Sequence, residues 1–399
     1  MNILIADTLP EHAVKGLEAA GASVDYRPKT KAEELAGVIG AADVLVVRST
    51  EVPAAAIAAG AKLSLIIRAG AGVNNIDMKA ANARGIYVSN CPGKNSVAVA
   101  ELTMGLLLTV DRRIPDNVAD LRAGKWNKSG YSKADGVLGR TMGIVGVGQI
   151  GKEVVLRAKA FGLKVKAWSR SLTDEQAALL GVERAESVLE LAKECDILSV
   201  HLALKPETKK IVSKEVIAAM KPNAILLNTS RWETVDEEAL YEAVKEGRLR
   251  AGLDVFSGEP EDKSSPFTNR LASLPNVYGT HHIGASTEQA QYAIADEVTA
   301  IVKQYIARGT VRNWVNRART TAASYQLVLR HYDKPGVLAN VFNALKTENI
   351  NIQDVENIIF DGSETAVCTL KLAARPSDYT LQSIAARSSE IIQANLVAL

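Results

Sequence analysis

Thr141-Met142-Gly143-Ile144-Val145-Gly146-Val147-Gly148-Gln149-Ile150-Gly151 runs from an apolar strand into a G-x-G-x-x-G turn, and Lys152 to Phe161 behind it reads as a helix. In that setting each glycine has a physical task. Gly146 allows the tight turn, Gly148 lets backbone approach a pyrophosphate, and Gly151 lets helix pack on strand. The N–H groups at the helix start, with Gln149 and Ile150 alongside, then face the anion. The alternative is a tight strand-to-helix turn that binds nothing; glycine is common, and only the strand–turn–helix context gives the letters weight. The position of the motif is a second message: residues 1–140 precede it, so something folded comes first.

A chain of 399 residues has room for two or three domains. Its 47% hydrophobic and 23% charged residues are ordinary for a soluble globular protein. With 47 Lys+Arg against 45 Asp+Glu and no basic block, nucleic acid is not an implied partner. Cys91, Cys195 and Cys368 are odd in number and far apart, which suits reduced thiols in a cytosol. Met1 to Asp7 reads as a strand, without the basic start and long apolar core of a signal peptide. The longest apolar stretch, near Leu102–Val110, is about half the roughly 20 residues a membrane span needs. The expectation is a cytoplasmic protein with no membrane partner and no metal site.

Residues 1–97 alternate short β runs (Ile3–Ala6, Val44–Val47, Leu63–Arg68, Gly85–Val88) with Ala/Glu/Lys-rich helical segments, the pattern of a parallel sheet covered by helices. A long amphipathic segment, Ser96 to Arg122, carries the chain into a second α/β series. Its six strands are Gly143–Val147, Val165–Trp168, Ile197–Leu202, Ala224–Asn228, Gly252–Val255 and Val277–Thr280, enough for a full dinucleotide-binding fold. A helix from Thr287 to Arg308 has no strand left to serve there and returns to the first series. The expected α/β architecture is a Rossmann cofactor domain (98–284) inserted in a discontinuous, flavodoxin-like substrate domain (1–97 and 285–316). Two domains joined by two crossings make a hinged cleft, where small-ligand sites concentrate. After a polar linker, 317–324, residues 325–399 read βαββαβ: strand Tyr325–Arg330, helix Pro335–Asn349 with Asp333 as N-cap, hairpin strands Ile350–Ile359 and Ala366–Leu372, helix Ser377–Ala394 and strand Leu396–Leu399. That order predicts a small ferredoxin-like sandwich.

Hydride transfer to or from a carbonyl needs a cation for the substrate carboxylate and a proton-exchanging group with a near-neutral pKa. Arginine's planar fork suits the first, and histidine oriented by a carboxylate suits the second. Arg231 follows strand Ala224–Asn228, Glu259 follows Gly252–Val255 and His282 follows Val277–Thr280, all at the strand ends where such folds place their sites. Taken singly, Arg231 and Glu259 are also readable as surface charges and His282 as a structural hydrogen-bonding group. Spacing alone does not show that Glu259 touches His282.

Here the residues resemble a family. Gly146–Gly151, His201-Leu202-Ala203-Leu204-Lys205-Pro206-Glu207-Thr208, Met220-Lys221-Pro222, Asn228-Thr229-Ser230-Arg231, Leu253-Asp254-Val255-Phe256 with Glu259-Pro260, and His282-Ile283-Gly284-Ala285-Ser286-Thr287 look like the D-2-hydroxyacid dehydrogenases, over residues 1 to about 315. The resemblance implies that Arg231 binds substrate, that His282 is the general acid/base and that Glu259 is its partner. It also implies that His201, Thr229, Asp254 and Gly284 line the cofactor. Gly124-Lys125-Trp126-Asn127-Lys128, Ser265-Pro266-Phe267-Thr268 and His331-Tyr332-Asp333-Lys334-Pro335-Gly336-Val337-Leu338 are similar to the branch that oxidises 3-phosphoglycerate and carries a C-terminal ACT module. By that resemblance Lys128 reaches the substrate, and Ala69-Gly70-Ala71-Gly72-Val73-Asn74-Asn75 is the carboxylate-binding turn, with Ala71 and Gly72 at its centre. Free N–H groups in such a turn make an anion nest; the bland reading is a simple turn. Arg48 matches the family's arginine near the substrate phosphate. Asn95, opening the long helix, is either a ligand contact or a cap, with the cap preferred. His331, Asp333 and Asn351 match the effector contacts of serine-sensing ACT modules, or serve as helix-cap and turn residues; Asp333 stands where the serine-sensitive pattern has asparagine. Family assembly as a homodimer or homotetramer is implied as well.

Three departures shape the expectation. An NAD site wants an acid about 20 residues past the glycines, but this strand ends Ala167-Trp168-Ser169-Arg170-Ser171. Ser169 with Arg170 favours a 2′-phosphate, so NADP is preferred over NAD; the alternative is an NAD enzyme with Arg170 stacked on adenine. Trp232 replaces the glycine that usually follows the catalytic arginine, and His281 replaces the proline that usually precedes the catalytic histidine. The readings left open are a phosphoglycerate dehydrogenase, a hydroxypyruvate or glyoxylate reductase, and a nucleotide-sensing binding protein without turnover.

Overall fold

Short apolar strands separated by helices pair in parallel within the unit Met1–Asn316, and a second unit, Arg317–Leu399, is built on an antiparallel sheet. The computed structural model describes residues 1–260, 265–318, 320–386 and 389–399. Among them the first sheet holds β1 (Asn2–Ile5), β2 (Ser23–Tyr26), β3 (Val44–Val47), β4 (Leu65–Arg68) and β5 (Tyr87–Asn90), in the order β2-β1-β3-β4-β5. This is the flavodoxin-like order. β3 and most of β4 are buried on both faces, as strands covered by helices must be.

The second sheet holds β6 (Thr141–Val145), β7 (Lys164–Trp168), β8 (Glu183–Arg184), β9 (Ile197–Val200), β10 (Ala224–Asn228), β11 (Leu249–Leu253) and β12 (Val277–Gly279). Its order is β12-β11-β10-β9-β6-β7-β8. Strand order reverses between β6 and β9, so the glycine turn and His201 meet at the switch point where open α/β sheets bind ligands. Gly146 has φ +101°, and a Cβ there would lie 2.5 Å from the His201 carbonyl oxygen, which no side chain tolerates.

The chain leaves the first sheet after β5. The helix Ser96–Arg112 then packs on helix Gln149–Ala160 and on β10 and β11 of the second sheet. The helix Glu288–Arg308 comes back: Ile294, Val298, Ile301 and Val302 pack against Ile3, Ile5, Leu65 and Ile67 of the first sheet. Buried Glu297 on that helix pairs with Lys94 and Arg312, each at 3.2 Å, tying the outgoing crossing to the returning one.

The second unit contains β13 (Tyr325–Tyr332), β14 (Ile352–Ile359), β15 (Thr365–Leu372) and β16 (Ile391–Ala398), in the antiparallel order β14-β15-β13-β16. Helices Val337–Thr347 and Asp378–Ala386 complete the βαββαβ order, and Leu327, Leu329, Leu345, Cys368, Leu370 and Ile384 meet in its core.

Several elements differ from expectation. β2 and β8 carry no apolar run: β2 is an exposed edge strand and β8 has two residues, so backbone pairing alone defines both. The segment Ser96 to Arg122 is two helices, because Arg113 is left-handed at φ 51° and Pro115 opens the second. Asp333 does not cap the helix, which starts after Gly336 at φ 92°; its N–H instead donates to the Glu364 carbonyl. Asn95 makes no side-chain cap either. The expected helix Ser377–Ala394 ends at Ala386, and Ile391–Ala394 belong to β16, where pairing with β13 outweighs local preference. Arg319 of the expected linker, and Arg387 and Ser388 of that helix, lie outside the described residues.

Candidate active site

The turn that carries His282 is built by one buried carboxylate. Asp254, just past β11, accepts hydrogen bonds from Thr280 Oγ1 (2.6 Å), Ile283 N–H (2.8 Å) and Gly284 N–H (2.9 Å), and its carbonyl accepts from His282 N–H (2.9 Å). Held this way, His282 adopts a left-handed φ of 51°, an uncommon state for a non-glycine residue. The turn leaves the His282 side chain about half exposed, at 46%. Gly284 is needed close to Asp254, since a Cβ there would sit 3.1 Å from Oδ2 and 3.2 Å from Val99.

Glu259 Oε2 lies 2.7 Å from His282 Nδ1, and its Oε1 accepts from Phe256 N–H at 2.8 Å. A carboxylate only accepts, so Nδ1 carries the proton and Nε2 is the atom left to exchange one. Burial alone would raise the Glu259 carboxyl. The hydrogen bonds from His282 and from Phe256 N–H, with the charge of Arg231 nearby, more than reverse this and hold it below the usual value.

Arg231 follows β10 on a turn closed by Asn228, whose Nδ2 donates to the Arg231 carbonyl at 3.0 Å and whose Oδ1 accepts from Ser230 N–H and Oγ. Its guanidinium reaches the first sheet: a Cβ on Gly72 would stand 2.8 Å from Arg231 Nη2. The Gly72 turn is pinned by Asn90 Nδ2 donating to the Ala71 carbonyl at 2.6 Å. Among the described residues the N–H groups of Ala71, Gly72 and Val73 have no acceptor, the condition for an anion nest.

Arg68, at the end of β4, is the residue that sequence reasoning missed. Burial, then repulsion from Arg231 and Arg48, pushes its guanidinium down to about 10, and its buried Nε has no partner. Burial likewise lowers Arg48, against the opposing charge of Asp7. Asp7, also unforeseen, accepts from the N–H groups of Arg48, Ser49 and Thr50 at 2.7–3.0 Å and so fixes the Arg48 turn. None of the three arginines is ion-paired among the described residues. Asn95 Oδ1 and Ser96 Oγ, at the start of the outgoing helix, are buried and unpartnered as well.

A family model for the NAD-binding domain of D-isomer-specific 2-hydroxyacid dehydrogenases matches residues 104–284. The chain is 44% identical over 268 residues to a hydroxypyruvate reductase of Thermotoga maritima, covering 67% of this chain and 85% of that protein. The chain belongs to the D-isomer-specific 2-hydroxyacid dehydrogenase family. It is also 44% identical over 318 residues to D-3-phosphoglycerate dehydrogenase of Methanocaldococcus jannaschii. That match covers 79% of this chain and 59% of the relative, so the chain spans about three-fifths of the relative's length. Among solved structures, the NAD+-bound 3-phosphoglycerate dehydrogenase of Entamoeba histolytica is similar, with a TM-score of 0.67 and 30% identity, covering 79% of this chain and 99% of that one.

In this family member the remaining expected site residues divide. Gly146, Gly148 and Gly151 form the turn at the switch point, with open space over Gly148 and a Gly151 Cβ position only 2.1 Å from the Gly146 carbonyl oxygen. Gln149 and Ile150 open the following helix. Burial pushes the His201 imidazole down to about 3; Nε2 lies 2.8 Å from Ser199 Oγ, while Nδ1 is unpartnered. Thr229 Oγ1 lies 2.9 Å from Thr103 Oγ1. An orphaned ring nitrogen beside an open glycine cradle fits a nicotinamide dinucleotide. Asp254 is engaged entirely in the His282 turn, as a positioning residue. Ser169 lines a cavity beside the glycine turn, whereas Arg170 is exposed and does not. Lys128 is exposed on the short helix Lys128–Tyr131, and no hydrogen bond or ion pair joins it to the arginines.

In the second unit, His331 is buried, with Nδ1 2.7 Å from the Tyr332 carbonyl and Nε2 3.2 Å from the Asn357 side chain. Asp333 and Asn351 are exposed, and Asn351 lines a cavity with Phe342 and Lys346. No described helix is long and apolar enough to cross a membrane.

Proposed function

We propose that this dehydrogenase oxidises 3-phosphoglycerate to 3-phosphohydroxypyruvate, the entry to serine synthesis, with NADP preferred over NAD. The observation that carries the reading is the trio Arg48, Arg68 and Arg231: Arg68 is repelled by the other two, Asp7 and Glu259 offset the charge only in part, and none of the three is ion-paired among the described residues. Holding three cations together in a half-buried cleft is unfavourable unless a multiply charged anion joins them. A substrate carrying both a carboxylate and a phosphate meets that need; a simple 2-hydroxy acid meets half of it.

Arg231 and the nest at Ala71–Val73 bind the carboxylate and polarise the oxygen at C2, while Arg48 and Arg68 take the phosphate, each as charge-assisted hydrogen bonds. His282 Nε2 accepts the C2 hydroxyl proton as the C2 hydrogen leaves with its electron pair. Glu259 keeps the proton on Nδ1 and stabilises the imidazolium that forms. A nicotinamide dinucleotide, held by the glycine turn at its pyrophosphate, would supply the hydride acceptor. In reduction the same residues act in reverse.

A hydroxypyruvate or glyoxylate reductase is the second reading, favoured by the Thermotoga maritima relative and its 85% coverage. A kinetic matrix separates the readings. It crosses 3-phosphohydroxypyruvate, hydroxypyruvate, glyoxylate and 2-oxoglutarate with NADH and NADPH, with and without serine. The expected outcome is the highest kcat/KM for 3-phosphohydroxypyruvate with NADPH, lowered by serine or another small amino acid acting through an ACT-like second unit, in a homodimer or homotetramer. Higher kcat/KM for an unphosphorylated acid overturns the phosphoglycerate reading, and no turnover with any pair leaves a nucleotide-sensing protein.

A further inference from the structure

Beside the glycine turn lies a cavity of about 300 Å³ whose polar lining comes from Lys152, Ser169, Ser171 and Gln176, with Val147 and Leu179 among its apolar walls. It spans the first turn of the second sheet and the end of β7, the strand whose last residue meets the adenosine ribose in dinucleotide folds. Lys152 directly follows the third glycine and is exposed; its N–H donates to the Gly148 carbonyl at 3.0 Å, while its ammonium makes no ion pair or hydrogen bond among the described residues. The Ser169 and Ser171 hydroxyls are unpartnered in the same way. Gln176 is engaged with Thr173 N–H, and Asp174, the first acid of the next helix, is paired with Arg184 at 2.6 Å. No carboxylate therefore lines this cavity, which offers one cation and two free hydroxyls.

We propose that Lys152 and Ser171, together with Ser169, form the site that selects a 2′-phosphate, and that Lys152 supplies the cation that the sequence pattern assigned to Arg170. The inference rests on reading Gly146–Gly151 as the dinucleotide turn. A ribose 2′-hydroxyl donates and needs an acid to accept it; a 2′-phosphate accepts, and its near-dianionic charge at pH 7 matches an ammonium and two hydroxyl donors. Arg170 does not line the cavity, so its guanidinium is left to solvent.

The test is calorimetric titration of the full-length protein and its K152A, K152R, S171A and R170A variants with NADPH and with NADH. Alanine is a good helix former and Lys152 is exposed on a helix, so K152A is expected to fold. The wild type should hold NADPH at least about ten-fold tighter than NADH, the range of charge-assisted hydrogen bonds. K152A should weaken NADPH about 10- to 100-fold and NADH by less than about two-fold, K152R should recover part of the loss, and S171A should show a smaller loss. NADPH affinity should also fall more steeply with added salt in the wild type than in K152A. An unchanged NADPH:NADH ratio in K152A, a collapse of that ratio in R170A alone, or a wild type that prefers NADH overturns the assignment. If neither nucleotide binds, the reading of the glycine turn fails first, and the selectivity site with it.

Discussion

Two histidines in this chain carry matching functional expectations and end in opposite chemical states. His282 lies past β12 in the first unit with Nδ1 held by Glu259 and Nε2 left open, on a side chain 46% exposed. His331 lies in β13 of the second unit, 1% exposed, with both ring nitrogens facing internal partners. Residue type and motif position are alike informative for the two. What differs is the unused hydrogen-bonding capacity, which depends on groups 23 and 26 residues away and on which face of a strand or turn the ring occupies. A proton-transfer group needs one committed nitrogen and one free one. By that criterion His282 is equipped for chemistry and His331 for holding β13 to β14.

The largest expected effect tests the first half of this contrast. His282→Gln should lower kcat by about 10²–10⁴ with little change in unfolding temperature, the loss expected when a general acid–base group is removed. Retention of more than a tenth of the wild-type turnover would break the assignment. Next in size is Arg68→Ala. Steady-state kinetics should show kcat/KM for the phosphorylated substrate falling about 10- to 100-fold, mostly through KM, as charge-assisted hydrogen bonds to an anion are lost. Hydroxypyruvate, which lacks the phosphate, should lose far less, and equal losses for the two substrates would detach Arg68 from the phosphate.

The glycine turn was legible because strand, turn and helix each have a local signature there, and Gly146, Gly148 and Gly151 perform separate steric tasks. Arg231, Glu259 and His282 were legible as strand-end residues because β10, β11 and β12 are mostly apolar runs with sharp ends. The contact between Glu259 and His282 was not, since it depends on how two loops fold back over β11 and β12. Arg68 was hidden for another reason: a charge after Leu65-Ile66-Ile67 reads as a solvated strand end, and only its close approach to Gly70, within charge range of Arg48 and Arg231, reveals its burial. Asp7 and Asp254 make three backbone N–H contacts and two, respectively, and such main-chain partners leave no trace in residue spacing. The same limit explains Asn95, a favourable cap residue whose side chain does not cap.

His331→Gln tests the second half of the contrast. Turnover without effector should stay within about two-fold of wild type, while the second unit loses about 1–2 kcal/mol of stability, the cost of disturbing a buried hydrogen-bonded group. Urea unfolding followed by hydrogen exchange in β13 and β14 reads this directly. Loss of a serine response with no loss of stability would instead return His331 to the effector site.

The smallest effect concerns the partner that makes His282 different. Glu259 is held below the usual carboxylate range, so its ionised form is stabilised by folding. A depressed native value adds stability above the unfolded value, about 4.3 for glutamate, and loses it as pH falls through the lower native value. The stability difference between wild type and Glu259→Gln should therefore be present at pH 5, on the order of 1 kcal/mol, and shrink below about pH 4. Thermal unfolding across that range checks it. A difference that grows as pH falls from about 5 to about 3 would mean that Glu259 is protonated in the folded protein. The carboxyl would then donate to His282 rather than accept from it, Nδ1 would be the bare nitrogen, and Nε2 would carry a proton with nowhere to take another from substrate.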